Sequence, residues 1–335
     1  MIKNIGIDLG FGFVKVTDGE REYVIPSVVG IGQALTFQSE LTIYMEPTDN
    51  LIATYEGKRY FVGELAVRQS GFPTRSLGDN HACEKSTKIL LLTALSLFTS
   101  EDFGDFNIVT GLAPGFYSPF KDELCKMMVG RHQITVSSEG VDRAKTINIG
   151  KAEVVPQPMG TFFQRMFDTK GAPGELELAK AKVGIIDVGF RTTDFAIVNR
   201  LEYVEKYSCS TMTGISNAYG FVDEYLRNEF RTHKENFELD SIVQDAQIKI
   251  AGKIHSLDHV IKEAFDRVAT KIIIEMNSLW DARDLDLILI TGGGGKALAE
   301  SLIEGLPTAV IMDDPQAANA RGYQRLAQKR FGIVG

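Results

Sequence analysis

The sequence predicts an α/β fold of two related lobes, and three observations carry that prediction. The chain has 335 residues, more than one hydrophobic core usually organises. The segment Ile5-Gly-Ile-Asp-Leu-Gly-Phe11 is echoed by Ile185-Ile-Asp-Val-Gly-Phe190, and Asp8 and Asp187 stand 179 residues apart, slightly over half the chain. Such self-similarity points to duplicated halves. Strand-like and helix-like periodicities also alternate along the chain, the pattern of an α/β protein.

Each half opens in the same way, with a β-rich run, a tight Asp-x-Gly-Phe turn and a second β-rich run. In the first half the second run is Gly12 to Thr17, and Tyr23 to Ile25 adds a third strand after the Asp18-Gly19 turn signal. Thr192 to Val198 and Tyr203 to Tyr207 are the expected equivalents in the second half. Leu257, Val260, Ile261, Ala264, Phe265, Val268 and Ile272, spaced by three and four, predict a helix with Ser256 as its N-cap. A strand from Leu285 to Ile290, a glycine run from Gly292 to Gly295 and a helix from about Lys296 follow. Residues 168–182 and 70–80, with their glycines and prolines, read as loops.

Composition sets limits on function. Hydrophobic residues make up 44% and charged residues 24% of the chain, as in an ordinary compact protein and unlike a disordered or collagen-like one. The net charge is −8, and no run of lysines or arginines offers a footprint for a phosphate backbone, so direct nucleic-acid binding is disfavoured. Three scattered cysteines and five histidines without metal-ligand spacing argue against a disulfide framework or a protein-ligated zinc site. The N-terminus passes straight into a strand pattern, and no stretch of about 18 apolar residues occurs, so no membrane span and a cytoplasmic location are expected.

The chemistry concentrates at the two turns. A glycine at a hairpin tip lets backbone amides approach an anion closely. An aspartate two residues earlier suits Mg²⁺, which is usually held by one or two carboxylates together with substrate phosphates. A single Asp-x-Gly is most often an ordinary turn; two in matching strand contexts suggest tips that clamp one nucleotide from both sides. Lys15 on the strand after the first tip can reach a β- or γ-phosphate, or sit solvated. Arg191, Thr192, Thr193 and Asp194 follow the second tip, where charge and hydroxyls can meet a phosphate or a magnesium water, although threonines are ordinary strand residues. The Gly292–Gly295 run is not a Walker A loop, since Ile290 and Ala297 stand where Gly and Ser or Thr are required. It fits a dinucleotide fingerprint with Asp313, but only about 20 residues remain after that aspartate, too few to complete such a domain. Gln157, in Pro156-Gln-Pro-Met-Gly160, can orient a water for attack on a γ-phosphate, or be a plain loop residue.

Taken in order, these segments resemble the actin-fold ATPase superfamily. Asp8-Leu-Gly-Phe-Gly-Phe-Val-Lys15 is similar to the first phosphate loop and Val155 to Gly160 to the first connecting segment. Asp187-Val-Gly-Phe-Arg-Thr-Thr-Asp194 is similar to the second phosphate loop, Thr291 to Gly295 to the adenosine motif, and Pro315 to Gly322 to the second connecting helix. Tyr60 to Ala66, Val109 to Tyr117 and Phe120 to Gly130 look like the N-terminal domain of prokaryotic actin-like proteins, the ParM type and the archaeal actin homologues. The resemblance implies an actin-like ATPase fold with lobe I at 1–155, lobe II at 156–335 and a C-terminal helix at about 315–331 returning toward lobe I. It implies ATP/ADP and Mg²⁺ as ligands. Asp8 and Asp187 would organise the metal through water, and Gln157 would position the attacking water. Gly10, Phe11, Gly12, Lys15, Gly189, Phe190, Arg191 and Thr192 would line the phosphates, and Gly292, Gly293 and Gly294 would flank the adenosine. Ala317, Ala318, Ala320 and Gly322 suit close packing of the last helix against the one after Gly160.

The function implied is a cytoskeletal ATPase that forms head-to-tail filaments with ATP and Mg²⁺ and weakens them by hydrolysis, in plasmid or DNA segregation or in intracellular organisation. A segregation role would require a DNA-bound adaptor, because the acidic chain lacks its own basic run. A metabolic sugar or acid kinase of the same fold is the alternative, since fold does not fix function. An adaptor that binds nucleotide without turnover is disfavoured by the joint presence of Asp8, Gln157 and Asp187.

Overall fold

The computed structural model describes residues 2–33, 46–138, 141–306 and 308–332. In chain order the strands and helices begin with β1 (Lys3–Leu9), β2 (Phe13–Thr17), β3 (Glu22–Pro26), β4 (Val29–Ile31), β5 (Leu51–Tyr55), β6 (Lys58–Val62), α1 (Glu64–Gln69) and β7 (Pro73–Thr74). They continue with α2 (Lys85–Ser96), β8 (Phe103–Leu112), α3 (Pro114–Met128), β9 (Gly130–Ser138), β10 (Val141–Pro156) and α4 (Met159–Met166). Next come β11 (Lys182–Val188), β12 (Thr193–Asn199), β13 (Glu202–Tyr203), β14 (Cys209–Thr211), α5 (Ile215–Phe230), α6 (Asn236–Asp245), β15 (Gln247–Ile250) and β16 (Lys253–Ser256). The chain closes with α7 (Asp258–Leu279), β17 (Leu287–Thr291), α8 (Gly292–Ala297), α9 (Ala299–Gly305), β18 (Ala309–Ile311) and α10 (Ala318–Phe331). Two compact units result. The first contains Met1–Leu112, Phe116–Gly174 and Asn319–Gly335, the second Ala113–Gly115 and Glu175–Ala318.

The first unit is built on a sheet of order β3-β2-β1-β8-β10-β9-β5-β6-β4-β7, in which β1, β8 and β10 run parallel and the hairpin β1/β2 is antiparallel. α2 is apolar on nearly every side, the mark of a helix immersed in a core; Ile89, Leu90, Leu91, Leu92 and Leu95 are buried with Ile5 and Ile7 of β1. On the other side of β1, Gly6 lets α10 approach, since a Cβ there would lie 2.0 Å from the Ala320 carbonyl oxygen. Of the small residues expected to allow close packing, Gly322 does so against α4 and Ala320 lies against Gly6 of β1. A Cβ on Gly322 would fall 1.7 Å from the Gly160 carbonyl oxygen, and one on Gly160 would fall 2.7 Å from Asn319 Cα. Asn319 Oδ1 fixes this crossing by accepting from the Thr161 amide and hydroxyl, at 3.0 and 2.9 Å.

The second unit repeats the motif. β11 and β12 form the antiparallel hairpin and β17 and β18 extend it in parallel, giving the order β13-β12-β11-β17-β18 with β14 also on β12. Here α5, α7 and α9 supply the core, through residues such as Val222, Ile272 and Leu302. Two local expectations are corrected. The strand expected over Tyr203 to Tyr207 ends after Tyr203 and gives way to a 3-10 turn at Glu205–Tyr207. The Ser208 hydroxyl causes this by accepting from the Ile197 amide at 3.1 Å and donating to the Val204 carbonyl at 2.9 Å, in competition with a ladder bond. Ser256 closes β16 instead of capping α7 as its neighbour, although its Oγ still accepts from the Asp258 amide at 3.3 Å.

Gly220 lies inside α5 with open space where its Cβ would be. Gly220→Ala should therefore stabilise the protein by about 0.5–1 kcal/mol through backbone entropy, read as a raised urea midpoint at unchanged slope. The three cysteines are free. Burial pushes all three thiols up, Cys83 to about 11 with help from Glu123, so none supplies a thiolate nucleophile at neutral pH. Among the described residues no helix is long and apolar enough to cross a membrane.

Candidate functional site

In the first unit the β1/β2 register pairs Asp8 with Lys15, so both side chains project from the same face. Lys15 Nζ donates to Asp8 Oδ2 at 2.9 Å, and the two side chains are only 12% and 4% exposed. Asp8 Oδ1 is buried and makes no hydrogen bond. A carboxylate oxygen left this way has capacity for a cation or an ordered water, and that orphaned atom is what makes the tip fit a Mg²⁺ ion. Gly10 is required by space: its Cβ would sit 2.9 Å from the Phe13 carbonyl oxygen and 3.1 Å from Lys15 Nζ. Ser27 clamps the tip, its hydroxyl donating to the Gly10 carbonyl at 2.6 Å and its amide to the Gly12 carbonyl at 2.8 Å. The Phe11 ring stacks on His81 at 4.7 Å and meets Phe116 edge-on at 6.2 Å. Phe11 thus anchors the tip by its ring and has only its backbone to offer a phosphate.

Gln157 follows β10 at the same end of the unit's parallel strands. Its amide donates to the Leu112 carbonyl at 2.7 Å, and its own carbonyl accepts from the Gly160 amide at 3.0 Å and the Tyr323 hydroxyl at 2.8 Å. Tyr323 is fully buried, and Gly111 makes room for it, because a Cβ there would lie 1.9 Å from the tyrosine oxygen. The backbone of Gln157 is therefore held by β8, α4 and α10 together.

In the second unit Asp187, 1% exposed, lies between Asp194 on β12 and Thr291 on β17 in the sheet register. The Gly189 amide donates to the Thr192 carbonyl at 2.8 Å, closing the tip. The first amides of α5 cap it, Ile215 donating to the Gly189 carbonyl at 3.2 Å and Ser216 to the Phe190 carbonyl at 2.8 Å. Gly214 permits this approach; its Cβ would stand 2.6 Å from the Phe190 carbonyl oxygen. Phe190 packs edge-on against Tyr219 at 5.4 Å. Arg191 is half-buried, while Thr192 and Thr193 are buried, Thr193 through a 2.7 Å bond to the Thr213 carbonyl.

The glycine run differs from its expectation as a loop ahead of a helix. Gly292 to Ala297 is itself the helix α8, and two of its glycines serve contact with β11. A Cβ on Gly292 would be 2.3 Å from the Val188 carbonyl oxygen and 2.5 Å from Asp187 Oδ1, and one on Gly294 would be 2.6 Å from Val188 Cγ1. Gly292 is thereby brought against Asp187, whereas Gly293 is partly exposed and has only Gln316 near its Cβ position. Gly292 also donates to the Pro315 carbonyl at 3.0 Å.

Sequence reasoning missed Ser27, His81, Gly111, Gly214 and Tyr323. Each acts on a tip or on Gln157 from a distant segment, so no local spacing announces it. Among the described residues no group of three or more His, Cys, Asp or Glu side chains is placed to hold a metal ion. A divalent ion here would depend on one or two carboxylates together with phosphate and water ligands.

Two family models match the chain: actin like proteins N terminal domain over residues 6–160, and archaeal actin homologue MreB-like, C-terminal, over residues 185–304. No curated protein sequence matches it. Among solved structures, a 15-stranded ParM filament from Clostridium botulinum is 26% identical, with a TM-score of 0.81 and coverage of 98% of this chain and 100% of that one. An archaeal actin homologue is 19% identical, with a TM-score of 0.79 and coverage of 98% and 99%. The same homologue in complex with ADP is 20% identical, with a TM-score of 0.78 over the same shares. The chain belongs to the actin-like proteins, with an actin-like N-terminal domain followed by a C-terminal domain of the archaeal, MreB-like kind.

Proposed function

We propose that this protein is an ATPase that assembles head to tail with its own copies when it binds ATP and Mg²⁺, and that hydrolysis to ADP weakens the assembly. The observation that carries the reading is the pair of hairpin tips, each with a buried aspartate two residues before a glycine crowded by its own turn, a Cβ lying 2.9 Å from the Phe13 carbonyl oxygen at Gly10 and 3.1 Å from the Thr192 carbonyl oxygen at Gly189. The likeness to a ParM filament at 26% identity and over the whole length supports self-assembly, and the ADP complex of the archaeal homologue supports nucleotide binding.

In this reading Asp8 and Asp187 hold Mg²⁺ through its waters. Bound there, the ion neutralises charge on the phosphates. Lys15 meets a β- or γ-phosphate, and the tip residues Gly10, Phe11, Gly12, Gly189, Phe190, Arg191 and Thr192 contribute backbone amides or side-chain donors. Gly293 lets the adenosine come close to backbone, while Gly292 and Gly294 flank it by seating α8 against β11. Gln157, with its main chain held by three elements, orients the attacking water. Assembly in which one surface meets a different surface of the next copy does not close on itself and yields filaments. A role in segregating a plasmid or other DNA would be exerted through a DNA-bound adaptor, the filament supplying the moving element.

ATP-dependent pelleting and electron microscopy test the reading. Pelleting with ATP and Mg²⁺, and not without nucleotide, is expected; a protein that hydrolyses ATP yet stays monomeric at high concentration would refute assembly. Strong stimulation of ADP release by one small metabolite would point instead to a sugar or acid kinase. Gln157→Ala should slow hydrolysis on the order of 100-fold through lost water positioning while ATP affinity stays near that of the wild type. Equal losses of binding in Gln157→Ala and Asp187→Ala would contradict the separate roles assigned to them.

A further inference from the structure

Acidic and basic residues are divided unequally between the two units. The second unit carries 24 acidic against 15 basic residues, the first 20 against 21. The whole net charge of the chain, −8, thus resides in the second unit. The last helix sets the balance of the first: α10 contains Arg321, Arg325, Lys329 and Arg330 and no acidic residue.

Three segments of the first unit converge on the C-terminal end of α10. Lys329 extends over the Phe167 ring at 4.8 Å. The loop after α4 lies against the helix backbone here, since a Cβ on Gly171 would be 2.6 Å from the Lys329 amide nitrogen, and this brings Lys170, the chain neighbour of Gly171, to the same end of α10. From β10, Lys151 sits over the Phe331 ring at 5.6 Å, and Glu153 faces Arg330 at 3.6 Å. Lys151, Lys170, Lys329 and Arg330 are all exposed. The neighbouring carboxylates cancel this charge only in part: Glu153 offsets Arg330, and Asp168 keeps its charge while its Oδ1 accepts from the Lys170 and Ala172 amides at 2.8 and 2.9 Å, so that these groups together still sum to a positive face. Two aromatic rings hold two of the four cations in place by cation–π attraction, so less side-chain freedom is lost on contact than for free surface lysines.

We infer that the face formed by Lys151, Lys170, Lys329 and Arg330 is a docking surface for the acidic second unit of another copy of this chain. The inference rests on the self-assembly proposed above and names its electrostatic contact. A second copy is the favoured occupant because every copy carries the complementary charge, a surplus of nine acidic residues in the second unit, at a concentration equal to that of the face itself. Four cations on a chain of net charge −8 make a poor nucleic-acid site by comparison, since the rest of the molecule repels a polyanion.

Wild-type pelleting with ATP should fall as salt is raised, because exposed charges are screened within a Debye length of about 10 Å at 0.1 M. The charge-reversed variant Lys170→Glu/Lys329→Glu should need roughly tenfold more protein for half-maximal pelleting, and Lys170→Arg/Lys329→Arg should behave as wild type. Zero-length carbodiimide coupling in an equal mixture of ¹⁴N- and ¹⁵N-labelled protein with ATP should give mixed-isotope peptides. Those peptides should join Lys151, Lys170 or Lys329 to carboxylates within residues 175–318. If wild type pellets and the charge-reversed variant pellets identically without such peptides, this docking surface is refuted and assembly itself stands. If wild type never pellets, the assembly reading fails and takes this inference with it. If duplex DNA binds wild type and not the charge-reversed variant while pelleting is unchanged, the face is a nucleic-acid site and the inference is overturned.

Discussion

Gly322→Ala should destabilise the protein by about 3 kcal/mol or more, an overpacking cost at the upper end of its usual range. The added methyl would be placed 1.7 Å from the Gly160 carbonyl oxygen, 2.5 Å from its carbon and 2.9 Å from the Gln164 amide nitrogen. All three are backbone atoms of α4 or its first turn, so no side chain can rotate away, and α10 must slide or tilt to admit the methyl. Tyr323 is the next residue, and its hydroxyl holds the Gln157 carbonyl at 2.8 Å, so a shift of α10 also moves the residue assigned to the attacking water. The Gln164 and Phe167 carbonyls, both bonded by Arg325, would lose alignment at the same time. Denaturation by urea should show the loss of stability, and a residual ATPase rate below that of the wild type should accompany it in the fraction that remains folded. Gly71→Ala is the control, because nothing lies within 4 Å of its Cβ position; equal stability of the two variants would show that the α4–α10 crossing is looser than this packing requires.

That crossing was legible in the sequence because small residues spaced three and four apart on a helix leave a recognisable stripe. The hairpin tips were legible for a similar reason: aspartate, glycine and flanking β-branched residues lie within eight positions of each other, twice. What escaped was set by partners far away in the chain. The α8 glycines look like a loop by propensity, and only the closeness of Val188 and Asp187 explains why glycine is tolerated inside a helix there. Tyr203 to Tyr207 has strand composition, yet a single serine hydroxyl competes for the Ile197 amide. Tyr323 reaches Gln157 across 166 residues, and the cations of the α10 face come from three segments, so neither could be read from local spacing. The sequence showed no basic run because the basic surface is assembled by folding.

Asp8→Asn should abolish most turnover, by roughly 100-fold or more, and weaken the Mg²⁺ dependence of nucleotide binding, because a neutral amide neither holds a divalent ion well nor organises its waters. The same change disturbs structure. Lys15, at 12% exposure and 2.9 Å from Asp8 Oδ2, would be left without its anion, and breaking a buried pair from one side costs about 3 kcal/mol. A fall in activity alone would therefore not distinguish chemistry from misfolding. The double variant Asp8→Asn/Lys15→Met separates them, since removing both charges relieves the uncompensated ammonium and should recover much of the lost stability. Turnover should not recover with it. Binding of Mn²⁺ with nucleotide, followed by electron paramagnetic resonance, gives a readout independent of the rate and should be weakened in both variants. The unbonded Asp8 Oδ1 is the atom at stake: if Asp8→Asn turns over ATP and binds Mn²⁺ as the wild type does, Asp8 is only the structural counter-ion of Lys15, and the metal must be organised without it.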